Sequence, residues 1–137
     1  MQLSELENII NLENICFLNL QYGEVEKEIN EHNKKAKESM VVLDNIDVTN
    51  DLEGLSSIIK NCDFVLTTSN TTAHLAGALN VKTIVMVPKN RGKLHYWGTD
   101  KDYTPWYSSV KIFRQKENSS WKETIIDVQK YIVNNFT

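Results

Sequence analysis

Two prolines, two cysteines and five glycines are spread thinly over 137 residues, and each scarcity excludes something. With both prolines in the second half and no Gly- or Ser-rich tract, the chain has no low-complexity segment or linker, and no internal repeat divides it. Cys16 and Cys62 have no CxxC partner, so a disulfide framework is not indicated. Each opens an apolar, strand-like run, where a buried free thiol of a reducing cytosol is expected. His32, His74 and His95 show no ligand spacing, which argues against a structural metal. Apolar runs are of strand length, far short of a membrane span. No charged n-region followed by an apolar h-region opens the chain, so secretion has no support and a cytoplasmic location is expected. Fifteen Lys and Arg against eighteen Asp and Glu give a net charge of −3, so no global field attracts nucleic acid.

What is present is one globular domain, residues 1–137, whose 41% hydrophobic content is enough for a single core. Leu3, Leu6, Ile9 and Ile10 mark a short amphipathic helix. A strand is expected over Ile15 to Leu20, and a charged surface helix or loop over Glu24 to Lys37. Met40 to Leu43 reads as a second strand. Leu52, Leu55, Ile58 and Ile59 mark a helix, with Thr49, Asn50 and Asp51 as cap candidates. Lys89 to Thr104 has no clear period and reads as a long loop, followed by a strand over Val110 to Phe113. Trp121, Ile125, Val128, Ile132 and Phe136 space a closing helix.

The richest stretch is Cys62 to Pro88, CDFVLTTSNTTAHLAGALNVKTIVMVP. It reads as buried strand, polar turn, small-residue helix and buried strand. Ser69, Asn70, Thr71 and Thr72 stand where the backbone turns into the helix AHLAGAL, whose Ala and Gly allow close approach to a sheet. Asn80 stands where a left-handed residue ends a helix. A strand feeding a helix in this way aims free backbone N–H groups above the sheet, which suits a phosphate. Ser, Asn and Thr there also serve simply as helix caps.

Strands alternating with helices imply a parallel sheet covered on both faces. Ligands of such sheets bind beyond the carboxyl ends of the strands. That places Gln21 to Gly23, Asp44 to Asp47, Thr68 to Thr72 and Pro88 to Lys93 on one rim. His74 is either a ligand contact or a packed histidine. Lys89, Arg91 and Lys93 are either diphosphate partners or an ordinary basic loop. Tyr96, Trp97, Tyr103, Trp106 and Tyr107 form a stacking face or, preferably, pin the long loop. Asp44 and Asp47 do not make a DxD metal site. Asp44 with Lys89 imitates a receiver domain poorly.

The ordered series LNLQYG, DVTNDLEGLSSIIKNCDFVLTTSNTTAHLAGALNVKTIVMVP and YTPWYSSVKIFRQ, with the late Trp121, resembles one family over nearly the whole chain. It is similar to the carboxyl-terminal half of heptosyltransferase-like, family-nine glycosyltransferases, the type often fused to tetratricopeptide repeats. The resemblance implies half of a GT-B fold, a Rossmann-like three-layer α/β sandwich that binds the nucleotide sugar and generally needs no metal or other cofactor. It implies that Asn70, Thr71, Thr72 and the amides that follow hold the diphosphate, with Gln21 near the nucleotide; Ser69, His74, Lys89 and Arg91 are candidates beside them from their place on the rim. The family turn usually carries Asp before its Ser or Thr, where this chain has Asn70. The segments matching the acceptor domain and the first strand of this half are missing. The expected sheet is therefore five-stranded, parallel and ordered 2-1-3-4-5. No catalytic residue is assigned. A protein supplying the acceptor half is an implied partner, and self-association is the expectation if the site has been lost.

Overall fold

The computed structural model describes residues 1–35, 40–43, 46–89, 94–98, 101–116 and 120–137. Asp44, Arg91 and Lys93 lie outside them. The described residues fall into two compact units, Met1–Leu55 with Gln129–Thr137, and Ser56–Val128. The chain order is a 3-10 turn (Leu3–Leu6), α1 (Glu7–Ile10), α2 (Glu26–Asn33), α3 (Leu52–Lys60), β1 (Val65–Thr68), α4 (Thr71–Ala78), β2 (Thr83–Val87), a 3-10 turn (His95–Trp97), β3 (Val110–Arg114) and α5 (Lys122–Phe136).

Ser56–Val128 contains a parallel sheet in the order β1-β2-β3. Thr68 stands opposite Met86, and Val87 opposite Arg114, so the three carboxyl ends form one crest. β2 is buried at every position, as expected of a central strand with both faces covered. Val85 and Val87, two apart and so on one face, join Ala73, Trp97, Val110 and Ile112 in one buried cluster. On the outer edge of β3, the Ile112 amide donates to Asp102 O at 2.7 Å and Tyr103 forms an antiparallel bridge with Lys111. This covers part of an edge that would otherwise offer unpaired backbone groups.

α4 begins and ends on residues suited to those positions. Asn70, in extended backbone, accepts from the Ala73 amide at 3.1 Å. At the other end Asn80 takes φ +57°. The Val81 amide donates to Ala76 O at 3.0 Å and the Asn80 amide to Gly77 O at 3.1 Å, the paired bonds of a Schellman stop.

The other unit departs from expectation. Residues 15–20 and 40–43 form no extended strand. Their pairing is one parallel bridge, Leu18 to Val41, closed by two backbone bonds of 2.8 Å. The described sheet thus has three strands rather than five. Both runs are short, and Val41 and Val42 are 37% and 40% exposed, so neither run has the two covered faces of a central parallel strand. Cys16 is exposed, not buried, while Cys62 is half-buried; both thiols are free. Burial, with Asp63 adding to it, raises the Cys62 thiol above its ordinary value. The helix expected at Leu3 to Ile10 is split into the first 3-10 turn and α1. Glu24 to Lys37 yields α2, which buries only Ile29. Asp51 proves to be the α3 cap, accepting from the Gly54 amide at 2.8 Å.

Candidate functional site

The crest of Ser56–Val128 is where the candidate residues come together. The chain leaves β1 at Thr68, passes Ser69 and Asn70, and enters α4 at Thr71. Asn70 Oδ1 takes two hydrogen bonds, from the Ala73 amide and from the Thr67 hydroxyl, each 3.1 Å long. The amides of Thr71 and Thr72 precede the first intrahelical bond and have no acceptor within the helix. Thr71 is exposed and Thr72 half-buried.

Aromatic side chains close over this turn. The Trp97 indole is fully buried, and its Nε1–H donates to Ser69 Oγ at 2.8 Å. His74 stacks on Trp97, with centroids 4.8 Å apart and planes 20° from parallel, and meets the Tyr96 ring edge-on at 4.6 Å. Its Nδ1 lies 3.1 Å from the Tyr107 hydroxyl. Tyr107 in turn lies over Gly77: a Cβ there would stand 2.6 Å from the ring's Cγ, so only glycine admits the ring this close to the helix. His74 is therefore a packed, hydrogen-bonded residue. Tyr96, Trp97 and Tyr107 pin the loop, whereas Tyr103 and Trp106 remain 50% and 64% exposed.

Two residues that sequence reasoning did not single out organise the same rim. Arg114 Nη2 donates to the carbonyls of Trp97, Lys101 and Gly98 at 2.6, 3.0 and 3.1 Å, while its Nε is buried and has no partner among the described residues. Gln115, buried, accepts the Lys89 amide on Oε1 and donates from Nε2 to Ser120 O, each at 3.3 Å. The only signal for either was position, at the end of the last strand. Lys89 is exposed, and its ammonium donates to Lys116 O at 2.7 Å. Gln21 belongs to the other unit, where it is exposed and its amide donates to Asn19 Oδ1 at 3.1 Å. Among the described residues, no three His, Cys, Asp or Glu side chains are grouped to hold a metal ion, and no helix is long and apolar enough to cross a membrane.

No protein-family model matches the chain, and no solved structure matches it. Among characterised proteins it is similar to Protein FlbA of Caulobacter vibrioides, with 30% identity over 123 residues. The match covers 87% of this chain but 19% of FlbA, so the chain spans about a fifth of that relative's length.

Proposed function

We propose that this chain is a nucleotide-sugar donor-binding domain of the glycosyltransferase type, which does not complete a transfer by itself. The observation that carries the reading is the β1–α4 turn. It sits at the carboxyl end of parallel strands, where such sheets take their ligands, with Thr71 exposed at the start of the helix. A diphosphate there receives the Thr71 and Thr72 amides and hydroxyls at the positive end of the helix dipole. Lys89, exposed after β2, lends positive charge. Ser69, Asn70 and His74 hold the turn in shape.

Sugar transfer needs donor and acceptor held together in reactive geometry. In this reading the chain holds the donor, and a second domain or protein brings the acceptor. Titration calorimetry with ADP, GDP, UDP and dTDP tests it. At least one is expected to bind saturably. The double substitution Thr71→Ala/Thr72→Ala is expected to weaken binding by about tenfold, equal to roughly 1.4 kcal/mol.

One observation favours a second reading, an interaction domain that keeps the fold without nucleotide. Ser69 Oγ, Asn70 Oδ1 and His74 Nδ1 are already engaged inside the protein. That reading predicts no heat with any of the four nucleotides, and self-association in sedimentation experiments.

A further inference from the structure

Arg114 closes β3 directly opposite Val87, while the Ser69 turn follows β1, two strands away. Two strand spacings amount to about 10 Å. Trp97 bridges that gap with two of its polar groups: its carbonyl receives Arg114 Nη2 at 2.6 Å, and its indole N–H reaches Ser69 Oγ at 2.8 Å. Gly98 makes the first connection feasible. Its φ of +66° with ψ of −178° is backbone that side chains disfavour, and its carbonyl, like that of Trp97, accepts from the same nitrogen. The Lys101 carbonyl supplies a third acceptor. Thr104 secures the next stretch, its hydroxyl donating to Tyr96 O at 2.5 Å and accepting the Trp106 amide at 3.2 Å. The half-buried guanidinium is thus committed to neutral carbonyls, and among the described residues it has no carboxylate partner.

We infer that Arg114 is the positioning residue of the crest. By gathering the carbonyls of Trp97, Gly98 and Lys101 it fixes the Trp97 indole against Ser69, and so sets the turn that leads into α4. All three bonds leave one nitrogen, Nη2, whose two N–H groups are shared among the three carbonyls. The consequence for nucleotide binding rests on the donor reading above; the consequence for Trp97 does not.

Nitrogen-15 spectra of the full chain test it, with the Trp97 indole assigned from Trp97→Phe. Arg114→Met is expected to shift the Trp97 indole resonance and the Ser69 and Ala73 amides in the direction seen in Ser69→Ala. Exchange of the indole hydrogen should be at least tenfold faster, while the Val128 amide in α5 stays in place. A folded Arg114→Met protein with an unmoved, equally protected indole overturns the inference. Should that variant fail to fold, Arg114→Gln, whose shorter side chain carries no charge, is read in the same way, and an unchanged indole there is equally fatal. Nucleoside diphosphate affinity is expected to fall at least fivefold in Arg114→Met. Unchanged affinity beside a displaced indole overturns the link from Trp97 to the turn. If the unmodified chain binds none of the four nucleotides, the donor reading fails while the indole spectra still decide the role of Arg114.

Discussion

At the start of α4 one oxygen, Asn70 Oδ1, accepts from both the Ala73 amide and the Thr67 hydroxyl. Asn70→Ala removes the cap, which costs about 1 kcal/mol by the usual scale of such losses, and leaves the half-buried Thr67 hydroxyl without its acceptor. Denaturant unfolding reads the loss. Asn70→Asp keeps the acceptor and places a negative charge at the helix's positive end, a gain of about 0.3–1 kcal/mol. Such a carboxyl has its folded pKa depressed, so the gain is present above the unfolded value and is lost as pH falls through the folded one. The sign is the same at Asp47, whose carboxylate receives the Asn50 side chain at 2.7 Å and the Thr49 and Asn50 amides at 2.9 and 3.1 Å. Those bonds, the Asn50 side chain first, hold it below the ordinary 3.8. Thermal melts of Asp47→Ala should therefore differ from the unmodified protein at neutral pH, and the difference should shrink as the pH falls below about 4.

At the scale of the element, Gly77 offers the sharpest contrast between local propensity and packing. Alanine in a helix interior is worth about 1 kcal/mol over glycine. Here its Cβ would stand 2.6 Å from Tyr107 Cγ, at the root of a ring that also bonds His74. Overpacking of this kind costs about 1–3 kcal/mol, so Gly77→Ala is expected to destabilise in urea unfolding. The same element explains what was legible beforehand. Strand, cap, small-residue helix and left-handed stop between Cys62 and Pro88 are encoded by neighbours in sequence, and Asn70 and Asn80 occupy the roles read for them. Arg114 was not legible, because its three acceptors lie 13 to 17 residues away and an arginine at a strand end carries no local mark. Ser69 and Trp97 meet across 28 residues, so the chain pattern could say only that aromatics pin the loop. The runs at 15–20 and 40–43 misled for the opposite reason. Four to six mostly apolar residues satisfy a strand pattern locally, but pairing depends on what covers them, and Val41 and Val42 stay 37% and 40% exposed.

At the scale of the molecule, Ser56–Val128 carries the whole β1–β2–β3 crest, its aromatic cover and the start of α4. Its parallel strands set the direction of the site, and side chains far apart in sequence shape it. The central claim is that this crest receives a nucleoside diphosphate at the β1–α4 turn. The direct test is an amide chemical-shift titration with ADP, GDP, UDP and dTDP, repeated on Thr71→Ala/Thr72→Ala. The account predicts saturable shifts clustered from Thr68 to His74 and at Lys89, and weaker in the double variant. An absence of shifts at millimolar nucleotide, or shifts scattered away from the turn and indifferent to the two threonines, would contradict it.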